Sequence, residues 1–274
     1  TTNDDVLLID ANNGTVLNPA YIDLAPAGPS LPMEAIVVGS EIWVTDQSAD
    51  KLMRFSLDGT TWLGNVTGNM DNIRGAAFVG GVVYVSNAGA SGASPANCIV
   101  EFDPAGNYLG NFLVPNPFDV YEFQGDLLIA DIAGQNLARY TTAGTFVGNF
   151  HDSDGVTGID FPQQINRSLA GNVLACGFIT PSGLYEYDPA TGTQLNYYSA
   201  PGGINGVAQL TDGRYIVSSN TSLRIFDPTN GSLTTLLAST NTRYFTAFAG
   251  PTPPAIVAFC FGDGTLADHT TPCP

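Results

Sequence analysis

Apolar and polar residues alternate along this chain in short runs, and the runs come in sets. Five leading runs are Ile42-Trp43-Val44-Thr45-Asp46, Val83-Tyr84-Val85-Ser86-Asn87, Leu127-Leu128-Ile129-Ala130-Asp131, Val173-Leu174-Ala175-Cys176 and Tyr215-Ile216-Val217-Ser218-Ser219, spaced 41 to 46 residues apart. A second run follows each, such as Leu52-Met53-Arg54-Phe55, Leu184-Tyr185-Glu186-Tyr187 or Leu223-Arg224-Ile225-Phe226. A period of two is the mark of a half-buried strand. Turn signals come next, among them Asp58-Gly59, Ala143-Gly144 and Pro189-Ala190-Thr191-Gly192, where Pro sets the first bend and Gly supplies the positive φ. Leu63-Gly64-Asn65-Val66, Leu109-Gly110-Asn111-Phe112 and Val147-Gly148-Asn149-Phe150 then form a third run, and a short run such as Gly75-Ala76-Ala77-Phe78-Val79 precedes each leading one.

Each unit therefore predicts four strands, and five units are complete. A sixth is split between the chain ends. Val6-Leu7-Leu8-Ile9-Asp10 and Val16 match the last two strands of a unit, Tyr244-Phe245-Thr246-Ala247-Phe248 matches the first, and Pro254–Phe259 is the candidate for the missing one. Repeats of this length that each bury a sheet face predict a ring or a stack. The expected fold is an all-β, six-bladed β-propeller with four-stranded blades, its N- and C-terminal strands sharing the closing blade so that no sheet edge is left open. A β-sandwich does not explain similar units at a steady spacing. Residues 1–254 are assigned to the propeller and 255–274 to a tail, with Cys260 and Cys273 as a disulfide candidate.

The stretch Trp43-Val44-Thr45-Asp46-Gln47-Ser48-Ala49-Asp50-Lys51-Leu52-Met53-Arg54-Phe55 resembles the NHL-repeat pattern of strand, Asp, small loop and strand, as does Ile129-Ala130-Asp131-Ile132-Ala133-Gly134-Gln135-Asn136-Leu137-Ala138-Arg139-Tyr140. In these two units the strand-end aspartates Asp46 and Asp131 read as acceptors for the N–H groups of the following loop. The resemblance implies that the first strand of each unit lines a central channel. The matching positions near the start of those strands are Glu34, Arg74, Asp119, Gln164 and Asn205, all polar. Buried polar groups need partners: each other, water or a ligand. Glu34, Asp119, Gln164 and Asn205 offer oxygen atoms of the kind hard cations take, with Arg74 as a counter-charge. The chain also resembles the gluconolactonase-like propellers, which implies a divalent ion, Ca2+, on the axis, although no cofactor is required by the residues themselves.

Composition narrows the choice. Of 274 residues, 25 are acidic and 8 basic, a net charge of −17, which repels phosphate backbones and excludes direct nucleic-acid binding. No apolar run reaches the length of a membrane span. The acidity and the opening Thr1-Thr2-Asn3-Asp4-Asp5 lead us to expect a secreted, extracellular protein from which a signal peptide has been removed. The only histidines are His151 and His269, so the multi-histidine chemistry of the streptogramin-lyase propellers is disfavoured. His151-Asp152-Ser153-Asp154 reads as a polar loop, since triad members must converge in space rather than in sequence. Trp62, Tyr197, Tyr198 and Tyr244 are candidates for an aromatic surface patch or for packing between blades. No catalytic residue is assigned. The expected function is a binding or scaffold propeller that meets another protein, or itself, through its loop faces; the alternative is a calcium-dependent hydrolase or lyase.

Overall fold

Each leading run forms the second strand of a four-stranded antiparallel unit in the computed structural model, which describes residues 5–153, 156–200, 202–238 and 241–248, and the backbone of 255–260 and 265–266. Apart from one 3-10 turn at Ala25–Ala27, the described residues hold strands, turns and bends only. No described helix is long and apolar enough to cross a membrane.

The first blade runs Pro32–Val38, Glu41–Asp46, Lys51–Ser56 and Trp62–Thr67. The second runs Ile73–Val79, Val82–Asn87, Cys98–Phe102 and Tyr108–Leu113. The third is Pro117–Phe123, Asp126–Asp131, Asn136–Tyr140 and Phe146–His151. The fourth is Pro162–Arg167, Val173–Gly177, Gly183–Tyr187 and Gln194–Ser199. The fifth, Gly206–Gln209, Tyr215–Ser218, Ser222–Asp227 and Ser232–Ala238, adds Thr265–Leu266 as an extra strand on its outer edge. In all five the strands follow one another in sequence order. A further sheet joins both regions of the chain: Val16–Asp23, Asp5–Asp10, Ala255–Cys260 and Thr246–Phe248. The fold is a β-propeller of four-stranded blades.

Side-chain alternation explains how the sheets stack. Ile42, Val44, Met53 and Phe55 of the first blade pack against Val6, Ile22 and Phe248 of the terminal sheet. Their sequence neighbours Trp43 and Leu52 point the other way, against Val83, Val85, Val100 and Phe102 of the second blade. One strand thus serves two interfaces, as a period of two requires. The terminal sheet does the same: Leu7 and Ile9 pack with Leu210, Ile216 and Leu223 of the fifth blade. Burial falls off with radius. Inner strands are buried on both faces, whereas outer strands leave Leu63, Leu109, Val147 and Leu195 about half exposed.

One detail of the terminal sheet corrects the sequence reading, and another follows the candidate strand at Pro254–Phe259. The first strand of the terminal sheet is Thr246–Phe248, not Tyr244–Phe248. The reason is competition for donors: the Tyr244 N–H bonds Met33 O at 3.2 Å and the Phe245 N–H bonds Gln164 Oε1 at 3.0 Å, so neither is free for a strand ladder. Moreover, Ala255–Cys260 is a full strand, paired with Asp5–Asp10 from Asp5–Cys260 to Asp10–Ala255. The Cys260–Cys273 disulfide candidate lies outside the described residues, as does the side chain of Cys260. Cys98 and Cys176 are free and buried.

Candidate functional site

Polar side chains near the starts of the inner strands and the ends of the second strands stitch each blade to the next. Glu34 Oε2 accepts the Ala76 N–H at 2.7 Å, from the first blade to the second. The Ser86 hydroxyl donates to Phe118 O at 2.9 Å, from the second to the third. Asp119 Oδ2 accepts the Ile165 N–H at 2.7 Å, from the third to the fourth. Gln164 Oε1 accepts the Val207 N–H at 3.1 Å, from the fourth to the fifth, and also that of Phe245. The Ser218 hydroxyl donates to Arg243 O, just before the terminal sheet. Together these bonds satisfy backbone N–H groups (by Glu34, Asp119 and Gln164) and backbone C=O groups (by Ser86 and Ser218) between the blades.

Three of the residues singled out from sequence converge. Glu34 lies close enough to Asp119 and Gln164 for its carboxyl to interact with both side chains. Glu34 and Asp119 are almost fully buried. Burial raises both pKa values, the neighbouring Asp119 charge lifts Glu34 well above the carboxylate range, and Asp119 rises to about 8. Two buried carboxyls this close cannot both ionise readily, so the pair holds on to protons to higher pH than free carboxyls do.

The other two sit apart. Asn205 donates to Asn220 Oδ1 at 3.0 Å, and its own Oδ1 is buried without a partner. Arg74 turns toward the third blade, donating to Asn116 Oδ1 and Pro117 O and lying over the Phe118 ring at 4.4 Å. The three ion pairs among the described residues are Arg54–Glu41, Arg139–Asp126 and Arg214–Asp212, all partly exposed; none involves Arg74.

Sequence reading missed Tyr244 and Gly75. Tyr244, read there as a surface-patch aromatic or as packing between blades, is fully buried and close enough to Asp119, Glu34 and Arg74 to feel their charges; burial drives its pKa up. Trp62 and Tyr197 are exposed on outer strands of different blades, so the four aromatics form no common patch. Gly75 lies against Asp119: a Cβ there would sit 2.8 Å from the Asp119 Cα and collide with its carboxylate. Gly75→Ala should therefore cost about 2–3 kcal/mol as overpacking, read as a lower urea midpoint with an unchanged slope; an unshifted midpoint would sink the idea.

The strand-end aspartates have the structural task read for them. Asp46 Oδ1 and Oδ2 accept N–H bonds from Leu31, Ala49 and Ser30 at 2.7–2.9 Å, and Asp131 Oδ1 accepts those of Ala133 and Gly134. His151 ends the outer strand of the third blade, far from the axial residues in the blade's order; its ring lies 4.2 Å from that of Tyr187 and its Nδ1 bonds Gly192 O. Burial lowers its pKa. Asp154 lies outside the described residues. Among the described residues no three of His, Cys, Asp and Glu gather as a metal site.

Beside Glu34 the channel opens into a cavity of about 290 Å3 that runs along the inner strands to Val37, Glu122, Asn166 and Ala247.

No family model matches the chain, and no curated protein matches it. Solved structures do. A catalytically inactive histidine-to-alanine variant of virginiamycin B lyase from Staphylococcus aureus, with quinupristin, shares 12% identity at a TM-score of 0.64, over 94% of this chain and 95% of that one. A nidogen/laminin complex gives 12% identity and a TM-score of 0.64, over 85% and 92%. The gluconolactonase XC5397 from Xanthomonas campestris gives 13% identity and 0.61, over 85% and 87%. At these identities the likeness shows the fold, a β-propeller shared by proteins of unlike function.

Proposed function

We propose that this chain is a non-catalytic binding propeller, secreted from the cell, with the terminal sheet acting as a sixth blade that closes the ring. The observation that carries the reading is the state of the axial oxygens. Those of Asp119 and Gln164, and one of Glu34, already accept backbone N–H bonds. They hold blades together and are not poised toward a substrate. The lyase neighbour is inactivated by loss of a histidine, whereas the one described histidine here is on an outer strand. The nidogen neighbour, seen with laminin, supports a protein partner at a loop face, and a second copy of the chain is the other candidate. The net charge of −17 supports a saline, extracellular setting.

A second reading, a calcium-dependent hydrolase or lyase, is favoured by the unpartnered Asn205 Oδ1 and by the lyase and gluconolactonase neighbours. The donor set fits it poorly: two buried carboxyls that keep their protons present little charge to a divalent ion, and the Asn205 side chain bonds Asn220 and Thr242 rather than the carboxyls. Thermal unfolding with calcium and then with chelator separates the two. The binding reading expects an unchanged midpoint. An ion at 100 times its Kd would add about 2.7 kcal/mol, a rise of roughly 5–10 °C; such a rise, abolished by Glu34→Gln, would replace the first reading with the second.

A further inference from the structure

Each blade ends at the rim in an outer strand, and an open strand edge is a template for another chain unless something guards it. The fifth blade shows that a rim edge of this fold accepts a further strand: Thr265–Leu266 pairs antiparallel with its outer strand at Leu237 and Ala238. Elsewhere the described residues show the usual guards. In the first blade the Ala25–Ala27 turn lies against the outer strand, where Asn65 donates to Ala27 O at 3.3 Å. In the second the loop before Cys98 folds over the edge, and Asn111 donates to Ala93 O at 3.3 Å. The outer strand of the third blade is irregular in two places. So is Val16–Asp23 of the terminal sheet, which also carries Pro19.

Gln194–Ser199 of the fourth blade has none of these guards. It holds no Pro, Gly or charged residue, five of its six residues are exposed, and its pairing is unbroken from Asn196 to Ser199. A six-residue segment of this composition, rich in Tyr and free of charge, is of the kind that pairs with its own copies. Leu195 and Tyr197 give it apolar surface, 47% and 38% exposed. Charge selects the same strip. Two copies of a chain with a net charge of −17 repel across most of their surfaces, whereas no charged residue stands between Asp188 and Asp212.

We propose that Gln194–Ser199 is a self-association edge, pairing antiparallel with the same strand of a second copy about a twofold axis. The contact joins two four-stranded fourth blades into one continuous sheet. A six-residue edge is smaller than the roughly 1,200–2,000 Å2 of a stable interface, so the dimer is weak, with a Kd between about 1 μM and 1 mM. It lies on the rim rather than on a loop face, and it stands independently of what the axis or the loops bind.

Sedimentation equilibrium on the full chain should show a monomer–dimer equilibrium. It should strengthen several-fold from about 0.05 M to about 0.5 M NaCl, because salt screens the repulsion between copies. Amide hydrogen exchange across Gln194–Ser199 should slow as the dimer fills, and exchange across Phe146–His151 should not. Leu195→Lys places a charge on the edge and should weaken the dimer at least tenfold with an unchanged melting temperature. Leu169→Lys makes the same change of charge at an exposed residue in a turn of the same blade and should leave the dimer intact. A monomer throughout, oligomers beyond the dimer, slowed exchange on another strand or a loop face instead, or equal weakening by both variants overturns the proposal. Each of those outcomes leaves the binding reading standing, since unfolding with calcium and chelator tests that separately.

Discussion

Asp119→Ala should lower the melting temperature by roughly 6–20 °C. The side chain is 1% exposed and does three things at once. Its Oδ1 accepts the Val120 N–H at 2.9 Å, its Oδ2 accepts the Ile165 N–H of the next blade at 2.7 Å, and it lies beside the buried Glu34 carboxyl. Removing it strands two buried N–H groups and one carboxyl. Each buried unsatisfied group costs about 1–3 kcal/mol, and breaking a buried pair costs about 3–5 kcal/mol. For a chain of this size each kcal/mol moves the midpoint by about 2–4 °C. Scanning calorimetry reads the result directly, and a midpoint within about 2 °C of wild type would mean that the axial bonds contribute little. Asp119→Asn keeps one acceptor oxygen and should fall between the two.

Stability should decline as pH rises from about 4 to about 8. In the unfolded chain both carboxyls titrate near 4; in the folded protein burial, joined for Glu34 by the neighbouring Asp119 charge, holds their protons to higher pH, to about 8 for Asp119. Through that window the folded state binds more protons than the unfolded one. The stabilisation from the pair is therefore complete below about pH 4 and is lost as pH climbs through the folded values, at up to about 1.4 kcal/mol per pH unit for each proton. The exposed turn residues Asp58, Asp103, Asp188 and Asp227 act in the opposite sense. Side-chain and backbone hydrogen bonds lower their pKa values, so their contribution is present above pH 4 and is lost in acid. The optimum should lie in mild acid. Glu34→Gln replaces one carboxyl of the pair with an amide of the same shape that does not titrate, so it should flatten the decline. Urea titrations of both proteins from pH 5 to pH 9 check this; parallel profiles would show that the pair does not hold its proton.

The blades could be read from the chain because a strand announces itself by alternation and its turns by residues with few conformational options. Val83-Tyr84-Val85 needs both neighbouring blades for its two faces, and Asp188 through Gly192 closes a turn in which Gly192 has φ +69° and donates to Asp188 O. Glu34, Asp119 and Gln164 stood out as polar residues at buried strand starts, and the structure brings those three together. Asn205 and Arg74 stood out for the same reason and yet point elsewhere. Alternation gives the face a side chain occupies but not its height on the axis, and the inner strands of the first four blades begin with an irregularity, as between Pro32 and Ala35 or Ile73 and Ala76. Those shifts decide which side chain reaches across. Tyr244 was hidden by a similar ambiguity, since an aromatic beside a strand serves equally well as core or as surface. Gly75 carried no signal because the atom that would clash with it belongs to the next blade.

The terminal sheet also sets the order of events during folding. Asp5 must find Cys260, and Leu8 must find Val257, whereas each of the five blades pairs strands that follow one another in sequence. Loop-closure entropy grows only with the logarithm of the separation, but segments this far apart along the chain must meet that cost before any contact between them rewards it. Blade hairpins can therefore form early and independently, while pairing of the chain's two distant segments waits as a slow final step. Until then the Asp5–Asp10 strand keeps an unpaired apolar edge, which makes the window before closure the interval in which this protein is most exposed to aggregation.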